Sequence, residues 1–270
     1  MSTVLTTRVL PPIRRPGTRA VRLLERNLTL YRRIWIVLFS GFFEPVFYLF
    51  SIGLGVGSLV DDGVALADGT RVSYTAFVAP ALLAASAMNG AVYESTLNVF
   101  FRLKWGKIYD GMLATPLQPL DIALGEIGWS QLRGCLYAIG FTIVMALFGL
   151  VNTWWGILAI PIALLIGFAF AGVGMACTTF MKGWQDFDLI QLVIQPLFLF
   201  SGTFFPIDFY PAGLQWVVRI SPLYHGTELL RAVTLARFDW SLLGHVAFLV
   251  VMGSIGLAIT RRRFEKLLMP

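Results

Sequence analysis

Four charged side chains stand inside stretches that are otherwise apolar: Glu44, Glu94, Glu126 and Arg133. A charge in hydrocarbon persists only when it is paired, neutralised or turned toward water, so these residues are the first candidates for chemistry. Glu126 and Arg133 are seven positions apart, which places them on one face of a helix two turns apart. On that face they could line a polar seam, pair with neighbouring helices, or form ion pairs that only fix packing. Glu94 lies less than two turns from the end of its apolar stretch and could reach the interface by extending its side chain.

Other chemistry finds little support. No run matches GxxxxGK[ST], and Gly106-Lys107 lacks both the upstream glycine and the following Ser or Thr. The chain therefore has no such cradle for a nucleotide, and any ATP would have to be handled by a partner. His225 and His245 read as isolated polar residues near membrane boundaries, and no metal site is expected. No serine has a histidine and a carboxylate at a recognisable spacing. Cys135 and Cys177 lie within apolar runs and read as small core residues, not as a disulfide or a metal cluster.

The elements that must position these residues are membrane helices. The 270 residues are 57% hydrophobic and only 13% charged, with a mean hydropathy of +0.75, which excludes a soluble enzyme with a large water-filled cleft. Charge-free runs cover residues 72–93, 134–181, 189–207 and 240–260, against a spanning requirement of about 20 residues. The predicted fold is an all-α membrane protein of six spans: 34–57, 73–99, 121–150, 156–181, 189–205 and 240–260. Asn152-Thr153-Trp154-Trp155 supplies the turn that divides the longest run. Between the last two spans, 206–239 is only moderately apolar and proline-bearing, and it predicts two short external helices that dip into the membrane without crossing.

Four segments follow from this reading. Residues 1–17 are a proline- and arginine-bearing flexible tail. Residues 18–33 form an interfacial amphipathic helix, with Val21, Leu24, Leu28 and Tyr31 at steps of three and four and arginines on the other face. Residues 34–260 hold the spans, and 261–270 form a basic tail. No short core and small-residue cleavage pattern marks a removable signal, so the first span is expected to stay as an anchor. With both termini in the cytoplasm, sixteen of the 21 Lys and Arg fall on internal segments and four on external ones, a strong orientation signal. Membrane orientation explains the net charge of +6 better than a nucleic-acid partner does.

Small residues mark close helix packing: Gly53 and Gly57 in the first span, and Gly167, Ala171, Gly172 and Gly174 in the fourth. Whether that packing is within one chain or between two copies is open at this point. Aromatic residues gather near the outer end of the fifth span, as a lipid-facing belt or a greasy exit path.

One segment carries a more specific pattern. In SGTFFPIDFYPAGLQWVVRISPLYHGTELLRA an SG-x-x-FP element, with Ser201, Gly202, Phe205 and Pro206, is followed by P-L-x-H-x5-R, with Pro222, Leu223, His225 and Arg231. The stretches LATPLQPLDIALGE and YESTLNVFFRLK add to it. Together they resemble the permease subunits of type 2 ABC exporters, the ABC-2 family, and within it the NodJ-like lipo-oligosaccharide exporters. The resemblance implies a bacterial inner-membrane permease that pairs with a second copy or a sister chain and rests on two separate ATPase subunits. It implies that 102–116 is the coupling helix that docks on the ATPase. Trp105, Ile108, Tyr109, Met112 and Leu113 would then be the anchors, and Arg102, Lys104 and Lys107 the steering charges. The implied cargo is a lipo-oligosaccharide, lipid-linked glycan or similar amphiphile. Alternatives are a drug-efflux permease of the same family, an ion-coupled carrier using Glu44, Glu94 and Glu126, and a membrane enzyme of lipids, which the missing triad and metal cluster disfavour.

Overall fold

A computed structural model of the chain describes residues 19–32, 43, 46–60, 63–66, 69–151 and 153–268. The tail 1–17, Glu44 and most of the start of the first span lie outside the described residues. Helix α1, Ala20–Tyr31, precedes α2, Val46–Leu59, and a two-stranded antiparallel hairpin of β1, Val64–Ala65, and β2, Arg71–Val72. Helices α3 (Tyr74–Trp105), α5 (Pro119–Leu147), α6 (Trp154–Thr178) and α10 (Ser241–Leu268) are long and apolar enough to cross a membrane. Between them stand α4 (Ile108–Leu113), α7 (Asp186–Leu199), α8 (Ala212–Ile220) and α9 (Pro222–Thr234). The last two are the short helices expected before the final span. Arg261–Arg263 and α4 share one end of the bundle, here the basic end; the hairpin marks the other.

Helix α3 is the most enclosed of the four long helices. Its small buried side chains, among them Ala76, Ala79, Ala84 and Ala85, let neighbouring backbones come close. Ser73 caps its start by accepting from the Ala76 amide at 3.2 Å. The helix continues past the expected end at Val99 to Trp105, because Arg102 finds a carboxylate inside the bundle.

Helices α6 and α10 pack through glycines of one chain. A Cβ on Gly172 would meet the Gly253 carbonyl oxygen at 2.6 Å, and one on Gly256 would meet that of Gly172 at 2.6 Å. Glycine is required where two backbones approach this closely. Gly167 instead faces the Gln131 amide, and Gly57 faces the Thr75 hydroxyl.

Helix α1 lies on α5 by Leu24 and Tyr31 of the expected stripe together with Leu23. Leu23 sits on Gly125 and Leu24 on Gly128, and Leu23 and Asn27 are buried, whereas Val21 and Leu28 are exposed. Asp121 joins the two helices at their starts, accepting from the Gln118 amide at 2.9 Å and the Arg19 amide at 3.1 Å. The apolar Val21 and Leu28 are thereby left for another environment.

Two ends differ from expectation. Helix α7 stops at Leu199, not 205, because Gly202 turns left-handed at φ +66° and Pro206 follows. Its 14 residues reach about 21 Å, short of a hydrocarbon core of about 30 Å. Helix α10 runs through the arginines to Leu268, across the basic tail expected at 261–270. Phe264 is buried there, and Arg263 lies over the Phe180 ring and donates to the Thr179 carbonyl.

Candidate functional site

The intramembrane charges form a ladder between antiparallel α3 and α5. Glu94 pairs with Arg133 and Arg102 pairs with Glu126. Eight residues of ideal α-helix would carry Arg102 about 80° round from Glu94. Wider π-helical turns at Glu94–Asn98 and Phe101–Trp105 turn less per residue and bring both charges to the α5 face. Because the strands of the ladder are antiparallel, a Glu-then-Arg order on each helix sets opposite charges side by side. Glu126 and Arg133 thus share a face, as their spacing predicts, and both pair with the neighbouring helix. Glu94 turns inward and does not reach the interface; it is 4% exposed.

Arg133 is the most elaborated member. It donates to the Tyr137 hydroxyl at 3.1 Å and lies 5.5 Å from the centre of the Tyr31 ring. Tyr31 in turn packs 4.8 Å from Trp129, so α1 covers this rung. Burial, followed by the nearby Glu94 charge, pushes the Tyr31 hydroxyl above its ordinary value. Glu94 Oε1, Glu126 Oε1 and Arg133 Nε remain buried without a hydrogen-bond partner among the described residues.

Beside the Glu94–Arg133 rung lies a cleft of about 850 Å³ between α3, α5 and α7. Ser86, Asn89 and Glu94 of α3 line it, with Gln131 and Arg133 of α5 and Gln191 and Gln195 of α7. Thr96 and Ser130 add hydroxyls and the remaining walls are mostly apolar or aromatic, so the cleft offers hydrogen-bonding groups and greasy surface together. Gln191 and Gln195, one turn apart, were passed over in the sequence because amides leave a charge-free run unbroken. Helix α7 has no buried residue.

At the basic end, the expected single coupling helix of 102–116 is broken. Arg102, Lys104 and Trp105 finish α3; Gly106 and Lys107 turn, the latter left-handed at φ +45°, and α4 follows. Tyr109 is corrected from a surface anchor to a core residue: it is fully buried, 5.9 Å from the Phe264 ring. Burial and then the Glu126 charge push its hydroxyl well above the ordinary tyrosine value. Arg102 is likewise held inward by Glu126 and does not steer from the surface. Lys104, Trp105 and Lys107 are exposed, and Ile108, Met112 and Leu113 are half-buried.

The motif at the hairpin end is organised by Arg231, 7% exposed. Its Nε donates to the Phe77 carbonyl at 3.1 Å, and its Nη2 to the carbonyls of Gly202 at 2.5 Å and Thr203 at 3.3 Å. The guanidinium lies 3.6 Å from the Phe77 ring centre and pairs with Glu228 at 3.1 Å. One side chain thereby ties α9 to the start of α3 and to the orphan carbonyls beyond α7. Ser201 and Ser221 join their hydroxyls, Pro222 opens α9, and Leu223 is fully buried. Phe205 is exposed, and Pro206 precedes a short 3-10 turn. His225 and His245, read as isolated, meet: their Nδ1 atoms are 2.6 Å apart, and His225 stacks on Phe248 at 4.1 Å.

A helical membrane protein with paired charges inside its bundle, a polar cleft beside them and a basic end has the build of a transport subunit. Residues 19–235 match the family described as ABC-2 type transporter, and the chain belongs to that family. It is 34% identical over 229 residues to Nodulation protein J of Rhizobium leguminosarum bv. viciae, covering 83% of this chain and 86% of that one. It is 32% identical over 222 residues to Nodulation protein J of Rhizobium meliloti (strain 1021), covering 81% and 82%. With Nodulation protein J of Bradyrhizobium diazoefficiens it shares 31% over 246 residues, 88% of this chain and 91% of that protein. The chain is accordingly a multi-pass membrane protein and the transport component of an ABC exporter.

Proposed function

We propose that this chain carries an amphiphile, of lipo-oligosaccharide or lipid-linked glycan type, outward across the bacterial inner membrane. The observation that supports it most is the cleft, where amides and one ion pair stand among apolar walls and match a cargo with a polar head and a greasy tail. On this reading α2 and α7 bring the spans to six. Both termini face the cytoplasm, and so does the basic end. Two ATPase subunits hold ATP and Mg below the basic end, and a second permease copy or a sister chain completes the path.

The docking surface is Lys104, Lys107 and the exposed side of α4, with Ile108, Met112 and Leu113 at its margin. Tyr109 and Arg102 face the other way. Nucleotide-driven closure of the partner would move α4, and Tyr109 against Phe264 would pass that motion to α10. The Arg102–Glu126 rung would pass it to α3 and α5, the walls of the cleft. Export of a drug by the same device is the second reading, since hydrophobic walls accept it as well. The charge reversal K104E/K107E tests the docking part. ATPase recovered with the tagged permease should fall at least about tenfold, in line with loss of two complementary charges. Unchanged recovery would overturn this surface.

A further inference from the structure

We propose that a cluster of five aromatic rings at the basic end is the inner gate of the cleft; this rests on reading the cleft as part of the transport path. Phe100, Phe101 and Trp105 come from the end of α3, and Trp184 and Phe187 from the turn into α7. Their contacts are continuous: Phe101–Trp105 at 4.7 Å, Trp184–Phe187 at 5.1 Å, Phe100–Phe187 at 5.3 Å, Phe101–Trp184 at 5.8 Å and Trp105–Trp184 at 6.3 Å. Trp184 and Phe187 also line the cleft. The cluster closes the end of the space that contains Ser86, fourteen residues of α3 above Phe100.

The two sides of the gate have different attachments. Trp184 is fixed by a tight turn, because Asp186 accepts from the amides of Lys182 at 2.6 Å and Gly183 at 3.2 Å. Trp105 is the last residue of α3 before the Gly106–Lys107 hinge that leads to α4. A displacement of α4 therefore acts first on Trp105, and the contact it loosens is the one with Trp184. An interfacial belt would need each ring to meet lipid, but not rings from two elements to meet one another at the mouth of a cleft. The gate assigns Trp105 an inward partner where the family resemblance assigned it to the ATPase.

Accessibility of the cleft tests this without relying on transport. In a C135S/C177S background, S86C is labelled with a membrane-impermeant maleimide in vesicles of either orientation. Slow labelling is expected, rising about tenfold or more in W184A and in W105A, and only from the face that bears Arg261–Arg263. W184F should stay near the parent rate, and W105A/W184A should be no faster than either single variant, since one seal is broken once. Fast labelling of the parent, rates within twofold of it in both variants, or acceleration from the opposite face would each overturn the gate. Both tryptophans are more than half exposed, and the amount of inserted protein is measured alongside. Acceleration in a chain that shows no ATP-dependent export would uphold the gate while removing the transport reading.

Discussion

Removing one partner of the Glu94–Arg133 rung should be far more damaging than removing both. The two side chains are 5% and 16% exposed, so E94Q leaves a buried guanidinium without its anion and R133Q leaves a buried carboxylate without its cation. Breaking such a pair costs about 3–5 kcal/mol, whereas replacing both charges by neutral groups is often close to neutral. R133Q also loses the contacts with the Tyr31 and Tyr137 rings, worth about 0.5–1 kcal/mol each. For a chain of this size about 3 kcal/mol lowers the melting temperature by roughly 6–12 °C. Detergent-solubilised E94Q and R133Q, followed by size-exclusion fluorescence after heating, should each show a fall of that order. E94Q/R133Q should recover most of it, with a coupling of at least about 2 kcal/mol. Single variants within about 1 kcal/mol of the parent, or effects that simply add in the double, would refute the ladder as a desolvated pair. If the double variant is stable yet cannot export, the rung belongs to the path as well as to the packing.

Three further outcomes follow from other contacts. G256V should cost several kcal/mol or abolish insertion, because its side chain would meet the Gly172 backbone, which cannot rotate away; G244A, with open space around it, should melt as the parent does. R231K keeps the charge but cannot reach the carbonyls of Phe77, Gly202 and Thr203 together; a loss of about 2–3 kcal/mol by thermal melting is expected, and an unchanged melt would remove the staple. Burial, with the neighbouring His245, holds His225 down to about 4, below its unfolded value of about 6.5. Between those values the unfolded chain binds a proton that the folded chain refuses, so stability is full above about pH 6.5 and falls as pH drops toward 4. Melting temperatures across pH 4–8 should show that slope, and H225Q should flatten it.

The long helices were legible because a bilayer allows few charges over a span, and α5, α6 and α10 begin within a few residues of the starts expected for the third, fourth and sixth spans. The errors fall where a charge is satisfied inside the bundle. Arg102 ended the second span by composition, yet its pairing with Glu126 lets α3 run on to Trp105. Arg263 closes no helix because Phe180 and the Thr179 carbonyl receive it. The ladder was half visible, since the spacing of Glu126 and Arg133 put them on one face, but their partners lay on another element. The matching signal is the order of charges: Glu94 before Arg102 on a descending helix and Glu126 before Arg133 on an ascending one. Gly253 and Gly256, and the meeting of His225 with His245 twenty positions on, depend on tertiary approach that no local pattern announces. Tyr109 was misplaced because an aromatic among lysines looks like an anchor whichever way it points.

ATP-driven export requires a partner ATPase to act through this chain. The most direct measurement co-expresses the chain with a candidate ATPase subunit and purifies the complex through a tag on the permease. Reconstituted into vesicles, it is assayed for movement of a fluorescent lipo-oligosaccharide. The ATPase is expected to co-purify, and movement to require ATP hydrolysis and to be lost in K104E/K107E. Movement driven by a pH gradient with the permease alone, indifferent to ATP, would contradict ATP-driven export.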